Sequence, residues 1–244
     1  MCRVESGGSL GRFAPPPQPR STMPYQLGPE HIFPPVDRAD RDGILAFGGD
    51  LDPDRVAAAY REGIFPWPSG RMLLWYAPAK RMVLRPGGAN ISRSMRKVLT
   101  SGRFELRINT AFAEVIKMCS KVPREGQPGT WISPKIRHVY TELHKQGIAH
   151  SFETWREGKL VGGLYGLATG KVFSGESMFH TESDASKFAF FEMQRILFER
   201  RFDLIDCQVH NEHLASLGAK EMSRNDFMRI LTKGQEGEAP TVVD

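Results

Sequence analysis

The feature that most constrains this chain is a run of predicted strands and one long helix between residues 150 and 209. Strands are predicted, with short glycine-bearing turns between them, at His150–Arg156, Leu160–Ala168 and Lys171–Met178. Ser183 is the predicted N-cap of an amphipathic helix over Asp184–Arg201, and Leu204–Val209 is predicted as a buried strand. Two hairpins followed by a helix and a further strand predict a mixed, mostly antiparallel sheet with helices packed on it.

This order of elements is that of the GNAT-type acyltransferase fold, although a fold by itself does not identify a substrate. We predict an α+β protein with a GNAT-like domain at residues 83–232 and a small N-terminal α+β domain at residues 29–82. In the smaller domain, Asp52 as N-cap and Pro53 at the first helical position predict a helix. The Pro-, Gly- and Ser-rich residues 1–28 are predicted to be disordered, and residues 233–244 to form a flexible tail.

Several classes of protein are disfavoured by what the sequence lacks. The glycine-bearing turn that binds coenzyme A in GNAT enzymes is replaced by His180–Ser186, whose two acidic residues would repel a pyrophosphate. There is no apolar run long enough to span a membrane and no metal-binding motif, so we expect no membrane, metal or cofactor. The three cysteines form neither a disulfide framework nor a zinc motif, which fits a reducing cytoplasm; they are Cys2, Cys119 and Cys207.

Basic residues are concentrated in one part of the chain. Between residues 80 and 107 there are eight basic residues and one acidic residue, Glu105, in a chain whose net charge is +5. A helix capped by Ser92 would place Met95, Val98 and Leu99 on one face and the cations Arg93, Arg96 and Lys97 on the other. This pattern predicts contact with a nucleic-acid backbone, although a solvated face without a partner explains the charge equally well.

Polar side chains interrupt an otherwise apolar strand near the end of the chain. Strand alternation would place Asp206 and Gln208 on one face, opposite the apolar residues Ile205, Cys207 and Val209. Buried polar side chains need partners or a cavity, so this pair indicates a site. The alternative is a structural hydrogen bond that closes the sheet.

A carboxylate lies in the strand predicted just before the long helix. Alternation would place Glu176 on the same face as Ser174 and Met178. If this strand neighbours the one that carries Asp206, the polar groups would converge on one pocket with Asn211 at its rim.

Two tryptophans are predicted to lie in loops, beside turn-forming residues. Trp67 and Trp131 could stack on nucleobases, a contact that contributes about 1–3 kcal/mol per base. Packing between the two predicted domains would explain them equally well. Trp75 and Trp155 lie in apolar or strand-like contexts, and we interpret them as structural.

Eight segments, in order from about residue 30 to residue 232, resemble the leucyl/phenylalanyl-tRNA–protein transferases. They are FPPVDRADRDGILAFGGDL from Phe33, YREGIFPW from Tyr60, ISRSMRK from Ile91, GTWI from Gly129, VGGLYG from Val161, FSGESMF from Phe173, ASK from Ala185 and LIDCQVHNEHLASLGA from Leu204. The last segment is especially specific. The two chain ends do not match, and the loop Pro123–Pro128 looks longer than is usual in the family.

The resemblance implies an enzyme that takes Leu or Phe, and less efficiently Met, from aminoacyl-tRNA without a metal or coenzyme A. The implied acceptors are proteins with an N-terminal Arg or Lys, which the added residue marks for the N-degron degradation pathway. We expect a cytoplasmic monomer whose partners are charged tRNA and such acceptor proteins.

The resemblance also implies roles for individual residues. Asp206 and Gln208 would be the catalytic pair, with Gln208 orienting the amine and Asp206 holding Gln208. A proton relay through the pair, or assistance from the terminal ribose hydroxyl, is left open. Glu176 would hold the cationic N-terminal residue of the acceptor, supported by Asn211.

The donor is implied to bind at two places. The apolar pocket for its side chain would be formed by Leu164, Met178, Phe190, Met193, Leu197 and Ile205, where a deformable methionine suits both Leu and Phe. The terminal adenosine would bind near Trp67, Trp131, Tyr60 and Tyr140, and the acceptor stem at Arg93, Arg96 and Lys97.

Three other functions are compatible with parts of this sequence. An N-acetyltransferase is disfavoured by the missing pyrophosphate turn. A non-catalytic tRNA-binding module would leave Asp206, Gln208 and Glu176 without a purpose. A cell-wall aminoacyltransferase would be expected to be longer and duplicated.

Overall fold

The computed structural model describes residues 23–69, 72–122 and 130–243, and shows two sheets with helices packed around them. The strands are β1 (Tyr25–Leu27), β2 (Ile44–Gly48), β3 (Phe65–Ser69), β4 (Met72–Tyr76), β5 (Lys80–Leu84), β6 (Glu105–Ile108), β7 (Ala149–Arg156), β8 (Lys159–Thr169), β9 (Val172–His180), β10 (Leu204–Asp206) and β11 (Lys220–Ser223). The helices are α1 (Pro53–Arg61), α2 (Arg93–Thr100), α3 (Phe112–Cys119), α4 (Pro134–Lys145), α5 (Ala185–Glu199), α6 (Glu212–Ser216) and α7 (Arg224–Gly234).

The smaller sheet has the strand order β1-β2-β4-β3. Its strand β3 contains Pro66 and Pro68, which lack the N–H groups that a central strand needs. That composition suits the edge position that β3 occupies. Helix α1 precedes β3 and begins as predicted, because the side chain of Asp52 accepts a hydrogen bond from the N–H of Asp54.

The larger sheet has the strand order β11-β5-β10-β9-β8-β7-β6, and its neighbouring strands are antiparallel except for β9 and β10. The parallel pairing ends where Asp206 lies opposite Ser174, although β9 continues to His180. The chain after β10 therefore separates from β9, and this separation opens a gap in the sheet.

Helices cover both faces of the larger sheet. Apolar residues of α5 pack on one face, and α2 packs against α5. The amphipathic pattern of these helices predicts this packing. Helices α3, α4 and α7 pack on the other face. The described structure thus confirms the α+β prediction with a mixed, mostly antiparallel sheet, whereas the GNAT likeness stays a prediction.

One apolar cluster extends from the smaller sheet to the larger one. It joins Leu45 and Trp75 of the smaller sheet to Tyr140 on α4 and Tyr165 on β8. Residues 1–22 of the predicted disordered tail lie outside the described residues, while residues 25–27 form β1. The predicted division into domains stays a prediction.

Three local predictions differ from the structure. The strand predicted over Leu204–Val209 ends at Asp206. The N-cap of α5 is Asp184 and not Ser183. Trp67 lies in β3 and not in a loop. Each difference depends on backbone geometry or strand pairing that local composition does not specify.

Candidate active site

The gap between β9 and the end of β10 is a cavity of about 560 Å³. Most of the residues predicted for the site line it: Trp67, Trp131, Leu164, Glu176, Met178, Phe190, Met193, Ile205, Gln208 and Asn211. Its walls come from both sheets and from α5 and α6. The cavity therefore brings together residues that are up to 149 positions apart, from Phe65 to Leu214.

A β-bulge directs Glu176 to the site. On β8, Tyr165 and Gly166 are consecutive, but their partners on β9 are Ser177 and Gly175, so Glu176 is the additional residue. The bulge reverses the alternation, and the prediction that Ser174 and Met178 share a face is therefore wrong. Ser174 contacts Asp206 on one side of the sheet, whereas Met178 packs with the α5 cluster on the other.

The carboxylate of Glu176 accepts hydrogen bonds from three side chains. The hydroxyl of Tyr60 donates to Oε1 at 2.6 Å, the hydroxyl of Tyr140 donates to Oε2 at 3.2 Å, and the amide of Gln208 donates to Oε1 at 2.8 Å. The hydroxyls of Tyr60 and Tyr140 also lie 2.8 Å apart, within hydrogen-bonding distance. Four polar groups from α1, α4, β9 and the chain after β10 thus form one network at the cavity.

Gln208 reaches Glu176 because the backbone turns at this residue. Its φ is +59°, in the left-handed region that residues other than glycine rarely adopt. The backbone N–H of Gln208 donates to Oδ1 of Asp206 at 2.9 Å, and its carbonyl accepts from the N–H of Met82 at 3.0 Å. This turn returns the side chain of Gln208 to the cavity, on the side from which Glu176 projects.

Asp206 lies behind the wall of the cavity and not in it. Ile205 on β10 and Cys207, the first residue after the strand, line the cavity, while Asp206 between them projects to the opposite side. The side chain of Asp206 is 0% exposed and forms an ion pair with Arg81. Gln208 lines the cavity and Asp206 does not, so the prediction that the two converge on one pocket is wrong. The prediction that Cys207 and Val209 face away from the pocket is also wrong, because both line it.

Burial and hydrogen bonding have opposite effects on Glu176. Burial raises the pKa of Glu176 to about 7, while the hydrogen bonds from Tyr60 and Tyr140 lower it. The negative charge of Asp206 raises the pKa of Glu176 further, and the positive charge of Arg81 lowers it. Burial and the nearby carboxylate hold the pKa of Tyr60 and of Tyr140 well above the ordinary value, so both hydroxyls remain donors at neutral pH.

The side of the cavity next to α5 is apolar. Leu164, Met178, Phe190, Met193 and Ile205 line it, as predicted for a pocket that holds an apolar side chain. Leu197, predicted for the same pocket, is instead buried in the core cluster beneath α5 and is not among the described lining residues. It lies one helical turn beyond Met193, farther from the gap.

The aromatic residues predicted for the site are divided between two positions. Trp67 and Trp131 line the cavity beside Phe65, where their rings could contact a planar ligand. Tyr60 and Tyr140 are buried behind Glu176 and are not among the described lining residues, although the two tryptophans pack against the same apolar cluster.

The eight basic residues of the region from 80 to 107 do not form one patch. Arg81 is buried, and three others lie in ion pairs with acidic residues: Lys80 with Glu221, Arg103 with Glu182 and Arg107 with Glu105. Arg93, Arg96 and Lys97 are exposed on α2, opposite the buried Met95, as predicted. In the part of the chain that the structure describes, none of these three α2 cations lies in an ion pair, and they are not among the lining residues of the cavity.

Arg81 is the residue of the site that the sequence did not reveal. The sequence pattern groups it with the cations that could contact a nucleic acid, because its position on the surface or in the core depends on the partners of β5. The apolar residues that follow it, Met82, Val83 and Leu84, are the signal that could have indicated burial.

Within residues 23–69, 72–122 and 130–243, no group of three or more His, Cys, Asp or Glu side chains is arranged to hold a metal ion. No helix in these ranges combines the length and the apolar character needed to cross a membrane.

Comparison with known protein families gives two adjacent matches. Residues 83–232 match the family described as leucyl/phenylalanyl-tRNA protein transferase, and residues 49–79 match the N-terminal domain of the same transferase. The match at residues 83–232 covers more than half of the chain. It includes Glu176, Gln208 and the apolar lining residues contributed by β8, β9, α5 and β10.

Individual proteins that resemble this chain carry the same description. The leucyl/phenylalanyl-tRNA–protein transferase of Dechloromonas aromatica is 50% identical over 224 residues, which are 91% of this chain and 95% of that protein. That of Flavobacterium johnsoniae is 52% identical over 208 residues, which are 85% of this chain and 98% of that protein. Among solved structures, FemX matches with a TM-score of 0.46 and 13% identity over 60% of each chain.

Proposed function

This chain belongs to the leucyl/phenylalanyl-tRNA protein transferase family and is an aminoacyltransferase that acts from tRNA to protein; we propose that it transfers Leu or Phe, and less efficiently Met, to N-terminal Arg or Lys. The added residue would mark the acceptor protein for the N-degron pathway. We place the reaction in the cytoplasm and assign it to a monomer. No cofactor is required.

The observation that carries this proposal is the hydrogen-bonded pair of Gln208 and Glu176 beside an apolar pocket. Transfer requires an acceptor amine next to an ester that carries an apolar side chain. The carboxylate and the amide can bind the amine, and the adjacent apolar pocket can hold the side chain of the ester. Both lie within one cavity of about 560 Å³.

In the proposed complex, the donor side chain occupies the apolar pocket and the terminal adenosine lies against the aromatic wall. The pocket residues are Leu164, Met178, Phe190, Met193 and Ile205, and the wall residues are Trp67 and Trp131. Met178 and Met193 can adapt to both Leu and Phe because an unbranched thioether side chain is deformable. The exposed cations Arg93, Arg96 and Lys97 would contact tRNA phosphates, independently of base sequence.

Glu176 would hold the cationic N-terminal residue of the acceptor, with Asn211 as a supporting contact at the rim. The α-ammonium group must lose one proton before its nitrogen attacks the ester carbonyl, and its reference pKa is about 7.7–8.0. Since burial raises the pKa of Glu176 to about 7, this carboxylate can exchange a proton with the amine at little energetic cost.

Gln208 would orient the amine and Asp206 would act through Gln208. An amide is not a useful base, but its carbonyl can accept a hydrogen bond from the attacking amine while its N–H₂ donates to Glu176. When the C–N bond forms and the C–O bond of the ester breaks, the ribose oxygen takes a proton and the nitrogen loses one. Because the ester is already activated, alignment can supply much of the acceleration.

An assay of aminoacyl transfer tests the proposal. The full chain is given labelled Leu-tRNA together with peptides that begin with Arg, Lys or Ala, and RNase-sensitive transfer is measured. We expect transfer to the Arg and Lys peptides and little to the Ala peptide. Equal transfer to the Ala peptide would refute the acceptor assignment.

Two variants connect the reaction to the site. Glu176→Gln removes the charge but keeps the size of the side chain, and we expect transfer to the Arg peptide to fall about 100-fold or more. Glu192→Gln on α5, whose carboxylate contacts Arg195, is the matched control and should retain activity. Undiminished activity of Glu176→Gln would show that the cavity has another role.

A further inference from the structure

Arg81 is a buried cation to which the proposed chemistry assigns no part. Its side chain is 1% exposed, and a buried charge is costly unless it is paired and hydrogen-bonded. Nε donates to Oδ1 of Asp206 at 2.9 Å, Nη2 donates to Oδ2 at 2.7 Å, and Nη1 donates to the carbonyl of Gly63 at 2.8 Å. Arg81 thus connects β5, β10 and the end of α1.

The guanidinium of Arg81 also lies between two aromatic rings. Its carbon is 4.8 Å from the centroid of Phe65 and 4.4 Å from that of Phe227. Phe65 lines the cavity on the same strand as Trp67, and Phe227 belongs to α7. The position of this wall of the cavity therefore depends on the same side chain that holds Asp206.

Asp206 in turn holds the backbone of Gln208. One of its oxygens, Oδ1, accepts both from Nε of Arg81 and from the N–H of Gln208. A left-handed backbone at a residue other than glycine persists only where its surroundings fix it. The bidentate contact with the guanidinium of Arg81 fixes Oδ1 of Asp206 where it can accept the hydrogen bond from the N–H of Gln208.

We propose that Arg81 is a positioning residue for the transfer reaction. By contacting both Asp206 and Phe65, Arg81 positions the side-chain amide of Gln208 next to Glu176. It also fixes the position of this amide relative to the aromatic wall of Trp67 and Trp131. The inference rests on the proposed function of Gln208. It states that Arg81 affects the rate of transfer through geometry and does not contact the substrates.

The alternative is that the buried pair only stabilises the fold, and a double variant separates the two roles. In Arg81→Met/Asp206→Leu, apolar side chains replace both charges, an exchange that often leaves stability unchanged or increases it. The turn at Gln208 then lacks its acceptor. We expect a cooperative thermal transition, a kcat for leucine transfer reduced about 100-fold, and KM values for Leu-tRNA and peptide within about threefold of the unmodified protein.

Arg81→Lys provides an independent measurement. Lysine keeps the charge but lacks the planar fork that reaches both oxygens of Asp206 and the carbonyl of Gly63. We expect Arg81→Lys to fold and to show a kcat at least about tenfold below that of the unmodified protein. Should the double variant show no cooperative transition, Arg81→Lys decides, and a kcat close to that of the unmodified protein overturns the inference.

Arg55→Met is the matched control. Arg55 is also fully buried, and its guanidinium is bound to Asp50 and to the carbonyls of Gly28, Pro29 and Glu30, but its contacts do not include the cavity. Below its thermal transition, this variant should retain kcat even if it is less stable. An equal loss of kcat in Arg55→Met would show that loss of stability alone explains the effect.

Gln208→Ala distinguishes this inference from the function on which it rests. Full activity of Gln208→Ala would contradict the proposed site itself. An inactive Gln208→Ala together with a folded and fully active Arg81→Met/Asp206→Leu would overturn the positioning roles of Arg81 and Asp206 and leave the proposed role of Gln208 intact.

Discussion

Glu176 is a carboxylate whose hydrogen-bonding partners are neutral. Tyr60, Tyr140 and Gln208 donate to it, and the nearby buried cation Arg81 is paired with Asp206 and not with Glu176. Burial disfavours the ionised form while the hydrogen bonds favour it, and the balance gives a pKa of about 7. A group in this balance can take up or release a proton near neutral pH, as the proposed reaction requires.

Tyr60→Phe tests this balance. The hydrogen bond from Tyr60 lowers the pKa of Glu176, so its removal should raise that pKa and move the acid limb of the pH profile of kcat/KM to higher pH. At pH values above the limb, where Glu176 is ionised in both proteins, the difference in kcat/KM between Tyr60→Phe and the unmodified protein should become smaller. The measurement is leucine transfer to an Arg-initiated peptide between pH 5.5 and 9, in steps of about half a unit.

The acceptor amine titrates in the same range, but it is identical in the two assays and does not contribute to the difference between them. Tyr25→Phe, at a half-exposed tyrosine of β1, is the control and should leave the profile unmoved. A limb that stays in place in Tyr60→Phe would mean that Glu176 does not control it.

The site depends on irregularities in two elements. The bulge in β9 directs Glu176 out of the regular alternation, and the end of β10 allows Gln208 to turn back toward the cavity. Two regular strands would place these side chains on fixed faces of the sheet. The separation of β9 and β10 provides both the cavity and the polar pair at its edge.

Helix α2 is amphipathic, with an apolar face toward the core and a basic face that could contact a polyanion. Met95 packs into the core while Arg96 is exposed, and Ser92 caps the helix by accepting from the N–H of Met95. We expect Arg96→Ala to weaken tRNA binding and to reduce the slope of log K against log salt concentration by about one. Binding of Leu-tRNA at four or more salt concentrations measures this slope.

Arg195→Ala on α5 is the control for this measurement, because Arg195 is already engaged by Glu192 and Glu199. Its slope should match that of the unmodified protein. Equal slopes for Arg96→Ala and the unmodified protein would indicate that α2 presents a solvated face and does not contact phosphate.

The two sheets share one apolar cluster, and both contribute to the cavity. Phe65 and Trp67 come from the smaller sheet, while Leu164 and Met178 come from the larger one. A common core couples the stability of the two parts, since loosening one removes packing from the other. The geometry of the site therefore depends on the whole molecule.

Leu45→Ala tests this coupling. Leu45 is 0% exposed on β2, and its truncation should lower the free energy of unfolding by about 2–5 kcal/mol. Amide hydrogen exchange should show the loss of protection in β7, β8 and α4 as well as in the smaller sheet. Ile32→Ala, at a side chain 74% exposed, should change stability by less than about 0.5 kcal/mol. Loss of protection confined to β1–β4 would contradict a shared cooperative unit.

The sequence by itself determined the elements and the residue types of the site. Periodicity, capping residues and glycine turns predict β7, β8, β9, α2 and α5 close to their bounds, because these signals are local along the chain. The family motifs gave the cavity residues Glu176, Gln208 and Met178, and these lie together.

Only the tertiary structure decided which way the polar side chains of the site project. Alternation predicted one face for Asp206 and Gln208, but the strand ends between them and Gln208 is left-handed. Arg81 could not be distinguished from a surface cation, because its partner Asp206 is 125 positions away. The direction of a side chain depends on strand pairing, bulges and burial, which arise when distant segments pack, whereas helix and strand formation follows from neighbouring residues.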